Sequence, residues 1–206
     1  LKSTDFLKEA SLIDVYVTQA SYLNGVNEKE AEYVVSEIVK LINNFEASGQ
    51  VKSIGVISMS SQEQADFMGE RVRYLLTNDI YKKYKLVFST PSQTQGRERD
   101  IVFISVGLMK DIPLKTTTTE DLKLAMTRAK ETVYLVRSIK ASELPVEHKG
   151  YKSLFNFFQP RTEGIDINGV ELVNKCKSEV EKNVMAYLLG RDYNIKLGAN
   201  FGKFSI

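Results

Sequence analysis

The chain carries a single cysteine, Cys176, and a single histidine, His148. One thiol cannot close an intrachain disulfide, and one Cys with one His cannot assemble a zinc site. Disulfide scaffolds and zinc modules are therefore excluded, no metal-ligating residue is assigned, and Cys176 is expected to be a buried or idle thiol. His148 lies in the polar stretch from Glu143 to Gly150. That is the setting of a solvated loop histidine, so a Ser-His-Asp hydrolase has little support. No run of about 18 apolar residues is present and no signal-peptide pattern opens the chain. A membrane partner is not expected, and a reducing, cytoplasmic setting is. Net charge is only +2, so composition by itself announces no nucleic acid. A phosphate-binding loop is also missing. The segment Gly198-Ala199-Asn200-Phe201-Gly202-Lys203-Phe204-Ser205 has three residues between its glycines, and Phe204 separates the lysine from the serine. The loop requires four residues there and Lys followed directly by Ser or Thr.

What is present is an ordinary globular composition, 43% hydrophobic and 26% charged over 206 residues. That suffices for one large domain, or one domain with an appendage. The chain opens at Leu1 without methionine, and Lys203–Ile206 reads as a strand in progress, so a fragment of a longer protein is expected. Ile13–Val17 alternates like a strand. Asn27 and Glu30 form an expected capping box, and Ala31, Val34, Val35, Ile38 and Ile42 follow at helical spacing to about Phe45, with Ser48-Gly49 as the stop. Ser53–Ser58 reads as a buried strand and Gln62 to Leu76 as a helix, its apolar residues being Ala65, Phe67, Met68, Val72, Leu75 and Leu76. Strands follow at Lys85–Ser89 and Asp100–Val106, then a helix from Glu120 to about Lys130 and a strand at Thr132–Arg137. Strands alternating with helices imply an α/β fold, a parallel sheet covered by helices on both faces. Tyr151 to Phe158 is expected as a short aromatic-faced helix, closing a domain over 1–158, with a linker at 159–177. A small truncated α+β tail follows from 178 to 206, with a helix at Ser178–Gly190 and strands at Asn194–Leu197 and Lys203–Ile206.

Three segments carry chemistry. The first is the strand end Ile54–Ser58 feeding the helix of Glu63-Gln64-Ala65. The second runs from Thr90 and Ser92 through Gln95-Gly96-Arg97-Glu98-Arg99-Asp100 into the strand Ile101–Ser105. The third is Leu124-Ala125-Met126-Thr127-Arg128-Ala129-Lys130, where a helix meets a strand. Loops at the carboxyl ends of strands converge on the ligand edge of an open α/β sheet, and the first two segments are expected there. Arg128 offers a planar, permanently charged fork suited to phosphate oxygens, against the alternative of a surface arginine. Tyr81-Lys82-Lys83-Tyr84-Lys85 interleaves bases and aromatics as single-strand binders do, but a solvated face with two packing tyrosines is the better reading.

In this order the segments resemble motifs IV, V and VI of superfamily 1 helicases, and the resemblance covers about residues 27 to 158. It implies the second RecA-like domain (P-loop NTPase type) of an ATP-dependent helicase or translocase. It makes Arg128 the catalytic arginine finger that reaches the γ-phosphate across a domain cleft. Glu98 would bind ribose or align the γ-phosphate region, with Gly96 turning closely beneath it, Gln95 contacting nucleotide and Gln64 lying near the base. Thr90 and Ser92 would touch the phosphate backbone of single-stranded DNA or RNA. A solvated, mutually paired turn remains the alternative for Arg97 to Asp100, and a capping role for Thr90 and Ser92. ATP with Mg2+ would be held mainly by a first RecA-like domain elsewhere in the parent, a partner without which this chain is expected to be inactive.

The tail from Ser178-Glu179-Val180-Glu181 onward resembles the opening of a restriction-endonuclease-like module, with Glu181 as its one candidate site residue. The alternative function is therefore a helicase-like platform for a metal-dependent nuclease. A RecA-like scaffold that has lost catalysis is a third reading, against which the intact Gln-Gly-Arg-Glu and Thr-Arg-Ala-Lys segments argue.

Overall fold

The computed structural model describes residues 11–18, 20–94, 97–108, 119–144, 148–158, 165–166, 200–201 and 204–205. Strand β1 (Ser11–Tyr16) leads to a minimal hairpin of β2 (Tyr22–Leu23) and β3 (Val26–Asn27). Its turn residues Asn24 and Gly25 both have positive φ, 51° and 83°. Such turns suit the twist of a tight hairpin, and Asn-Gly is the pair that tolerates it. Helix α1 (Glu28–Ser48) follows, capped by the Asn27 side chain on the Glu30 amide and closed by Gly49 at φ 70°. Next come β4 (Ile54–Ser58), α2 (Gln62–Leu75), α3 (Asn78–Lys83) and β5 (Val87–Ser89). A 3-10 turn at Pro91–Gln93 precedes β6 (Arg99–Ser105). Then follow α4 (Thr119–Met126), β7 (Ala129–Arg137), a 3-10 turn at Ala141–Glu143 and α5 (Lys149–Phe158).

The strands form one parallel sheet in the order β5-β4-β6-β7-β1, extended at the β1 edge by the two-residue β8 (Ile165–Asp166). β8 falls within the span expected as linker. All five residues of β4 are buried, as a central parallel strand covered on both faces requires. Alternate residues of β6 feed two cores: Val102 and Ile104 pack with Leu122, Ala125 and Met126 of α4 and with Tyr151, Leu154 and Phe155 of α5. Ile101 and Phe103 pack on the opposite face with Val34, Ile38 and Ile42 of α1 and Met68 and Val72 of α2. Each fully buried Val, Leu, Ile, Met or Phe side chain among them contributes about 1.5–3 kcal/mol of transfer free energy. The result is a RecA-like α/β fold.

Several boundaries differ from expectation. Leu75, expected among the apolar residues of its helix, is 56% exposed. The helix expected to reach Lys130 stops at Met126, and Ala129 and Lys130 already belong to β7. The Thr127 hydroxyl and the Arg128 Nε–H both donate to the Leu124 carbonyl, ending the helix while Ala129 joins the sheet. The Tyr81–Lys85 stretch, in part the short helix α3, has the structural role favoured for it. Tyr84 is fully buried with its hydroxyl donating to Glu46, and Tyr81 stacks on Phe88. In the tail, β9 (Asn200–Phe201) and β10 (Phe204–Ser205) pair as an antiparallel hairpin. The expected helix Ser178–Gly190, the expected strand Asn194–Leu197, Glu181 and Cys176 lie outside the described residues.

Candidate functional site

A parallel sheet has two unlike edges, and the candidate residues divide between them. At the amino edge, Arg99 opens β6 and Ala129 opens β7, and the two residues are paired in register. The Arg99 amide donates to the Arg128 carbonyl at 2.8 Å. Glu98 and Arg128, the residues just before these strands, are thereby made neighbours. The pairing is irregular between Arg99 and Ile101, the kind of local shift that re-aims side chains at a strand's end.

Arg128 is half-buried, with Nε donating to the Leu124 carbonyl at 3.2 Å. That bond fixes the guanidinium plane, while its two terminal nitrogens make no hydrogen bond or ion pair among the described residues. Glu98 is exposed and stands 3.8 Å from the Lys130 ammonium, a loose contact between two half-exposed side chains. Such a pair is worth well under about 1 kcal/mol and leaves the carboxylate available. Gln95 and Gly96 lie outside the described residues.

Cations precede four strands at this edge: Lys52 before β4, Lys85 before β5, Arg97 before β6 and Arg128 before β7, with Arg99 and Lys130 just inside. Of the nearby acids, Glu131 pairs with Lys52, and Asp100 is engaged by the Ser53 amide and hydroxyl, both at 2.7 Å. Burial pushes the Asp100 carboxyl up, but those Ser53 hydrogen bonds, with Lys130 and Lys52 nearby, outweigh it and hold it below its ordinary value. Among the described residues the edge keeps a positive surplus suited to a polyanion.

This placement corrects one expectation. Glu98 was expected at the carboxyl ends of strands, but the polypeptide from Thr90 to Glu98 passes from the carboxyl end of β5 back to the amino end of β6. Parallel strands force that return. One short segment therefore has Thr90 and Ser92 at one edge and Glu98 at the other. Thr90 precedes the 3-10 turn and Ser92 lies within it, with their hydroxyls 3.2 Å apart and Ser92 exposed. Thr94 is buried and bonds back to the Pro91 carbonyl.

Gln64 is corrected more strongly. It is fully buried, and both ends of its amide are used inside the protein. Oε1 accepts from the Asn27 amide at 2.7 Å, and Nε2 donates to the Asn27 carbonyl and the Ser105 hydroxyl at 3.2 Å each. A side chain so enclosed joins α2 to α1 and β6, and has no face left for a nucleotide base.

Glu30 is the residue that sequence reasoning misassigned. The capping box requires its carboxylate to accept from the Asn27 amide, but Gln64 takes that amide. The Glu30 carboxylate instead turns inward, fully buried. Oε2 accepts from the Ser105 hydroxyl at 2.9 Å and the Gly107 amide at 2.7 Å, while Oε1 accepts from the Ser138 hydroxyl and from Asn27 Nδ2 at 3.3 Å. Ser105 ends β6, and Ser138 follows β7. Burial pushes the Glu30 carboxyl up to about 7, against the hydrogen bonds from Ser138, Gly107 and Ser105 that favour its charged form. A signal for this was present: Glu30 shares the i, i+4, i+8 line with Val34 and Ile38, the most buried line of α1.

The family profile described as "AAA domain" matches residues 4–140, more than half of the chain. The chain belongs to the AAA domain family. Among solved structures, the C-terminal domain of a possible DNA helicase from Lactobacillus plantarum WCFS1 is similar over 66% of this chain and 83% of that one, at 13% identity and a TM-score of 0.41. A likeness of that degree carries no argument about function. No curated protein matches the chain. Among the described residues of this AAA-family domain, no helix is long and apolar enough to cross a membrane.

Proposed function

We propose that this AAA-family domain is the second RecA-like motor domain of an ATP-driven superfamily 1 helicase or translocase acting on single-stranded nucleic acid. The observation that carries the reading is the adjacency of Glu98 and Arg128 on a basic amino edge, with Arg128 anchored, among the described residues, through Nε alone. An arginine held by one nitrogen keeps the outer fork for phosphate oxygens and needs little reorganisation to meet them. In this reading ATP with Mg2+ is held mainly by a first RecA-like domain of the same parent protein. Closure of the cleft presents the γ-phosphate to Arg128 and the ribose side to Glu98. Thr90 and Ser92, hydroxyl-bearing and at the opposite edge, would meet the phosphate backbone of the single strand without reading its sequence.

The test is Arg128→Ala in the full-length protein. An arginine finger contributes about 10³-fold or more to turnover. The variant is therefore expected to lose ATP hydrolysis by that order while still binding a fluorescent nucleotide. Turnover equal to that of the unaltered protein removes Arg128 from the site.

A further inference from the structure

The two edges are joined by two adjoining strands. β6 begins beside Glu98 and ends at Ser105; β7 begins beside Arg128 and runs to Arg137, with Ser138 next. Both far ends are held by one carboxylate, since the Ser105 and Ser138 hydroxyls each donate to Glu30, on different oxygens. Asn27 Nδ2 donates to the Ser138 hydroxyl at 2.8 Å, and Gln64 reaches the Ser105 hydroxyl. Gln64 also donates its backbone N–H to the Ser61 hydroxyl at 3.0 Å, and that hydroxyl donates to the Gly25 carbonyl at 2.7 Å. Gly25 sits in the turn of the β2–β3 hairpin, whose Leu23 is 65% exposed. Hydrogen bonds thus run without a break from the strands flanking Arg128 to an exposed hairpin at the carboxyl edge.

A core that needed only to be filled would be filled by apolar side chains there, because a buried carboxylate costs several kcal/mol unless its partners are all in place. Glu30 has four donors from three elements and tolerates no relative shift of β6 against β7 without losing one. The arrangement is therefore stiff and discrete, as a coupling element must be.

We propose that Glu30 is a positioning residue that couples the nucleotide-facing edge to the carboxyl edge, so that strand binding near Thr90 and the β2–β3 hairpin sets the alignment of Glu98 and Arg128. This rests on the function proposed above. The test compares ATP turnover of the full-length protein with and without a saturating single-stranded homopolymer, oligo(dT) and poly(U) in parallel. The variants are Glu30→Gln and Ser138→Ala. In Glu30→Gln, one oxygen becomes an NH2 that must face either the Gly107 amide or Asn27 Nδ2, neither of which can accept. Ser138→Ala removes one donor from a half-buried position and decides the matter if Glu30→Gln fails to fold.

The expected result is basal turnover and KM for ATP close to those of the unaltered protein, with stimulation by the strand reduced on the order of tenfold, the size of a typical coupling between sites. Stimulation retained in both variants overturns the proposal, as does an equal loss of basal and stimulated turnover, which is what a merely structural group would give. If the unaltered protein is not stimulated by either homopolymer, the helicase reading itself fails, a separate outcome from failure of Glu30.

Discussion

A severe perturbation of this fold is available at the junction of β1 and β7. Arg137 donates to both oxygens of Asp14, from Nε at 2.8 Å and from a terminal nitrogen at 2.7 Å, and its remaining terminal nitrogen bonds the Ile139 carbonyl at 3.1 Å. The side chains are only 9% and 6% exposed, and the guanidinium lies 5.3 Å from the Tyr16 ring and 4.9 Å from the Phe155 ring. Substituting Asp14→Leu leaves a buried guanidinium with one carbonyl and two ring faces in place of its counter-ion. Breaking a buried pair from one side costs about 3–5 kcal/mol, because the stranded charge retains its desolvation penalty. Substituting both, Asp14→Leu with Arg137→Met, removes that penalty along with the attraction and is expected within about 1–2 kcal/mol of the original. The assay is urea denaturation of the four proteins of the double-mutant cycle. The exposed pair Lys29–Glu32, at 49% and 61%, serves as a control whose removal is expected to leave the urea midpoint unchanged, because solvent screens it. A cost below about 1 kcal/mol for Asp14→Leu, or a double variant as unstable as the sum of the singles, would refute the reasoning.

Two other outcomes follow from local geometry. Gly107 has φ +66°, and a Cβ there would stand 2.1 Å from the Ser60 hydroxyl, whereas Gly49 at φ +70° has nothing within 4 Å. Gly49→Ala should cost only the left-handed penalty of about 1–2 kcal/mol, and Gly107→Ala distinctly more; equal costs by urea titration would show that the Ser60 contact yields freely. For Glu30, a folded value of about 7 against an ordinary 4.5 means that the unfolded chain binds fewer protons between those values. Stability should therefore fall as pH rises through that window, by about 3 kcal/mol in total, and level off above about 7. Urea midpoints measured from pH 4 to 8 should show this decline relative to Glu30→Gln, and parallel curves for the two proteins would contradict the buried carboxyl.

Elements with strong local signatures were legible before the fold was known. Asn27 at the head of Ala31, Val34, Val35 and Ile38, and the unbroken apolar β4, each answer to backbone rules acting within a few residues. Short elements were not. The Asn24-Gly25 turn joins strands of two residues, too short for any alternation to register, and α3 is hidden in a stretch read for its charge. The end of α4 was misplaced because pairing of Ala129 with Arg99, a contact across the sheet, competes with helical periodicity. Among the candidate site residues, Arg128 and Glu98 could be named from their segments, but their edge could not. The edge depends on β5, β4 and β6 all running parallel, which no single segment encodes. Gln64 and Glu30 failed for a further reason. Each sits at the start of a helix, where a polar residue is locally unremarkable, and only the strand ends brought against them decide that they are buried.

That failure bears on how the domain can work. Sequence reasoning placed the polar residues of α1 and α2 in the roles nearest to hand, Glu30 as a cap and Gln64 as a ligand. Packing instead gives them to Ser105 and Ser138, at the far ends of the strands that begin beside Glu98 and Arg128. A strand of seven or nine residues in the middle of a parallel sheet, hydrogen-bonded on both sides, transmits a displacement along its axis far better than it bends. A shift at one edge must therefore be met at the other, either by breaking a bond to Glu30 or by carrying α1, Gln64 and the hairpin along. Breaking the bond leaves a buried polar group unpaired at about 1–3 kcal/mol, so moving the attached elements is the cheaper response. On this ground the buried network around Glu30 is where substitutions should uncouple the two edges while leaving each intact.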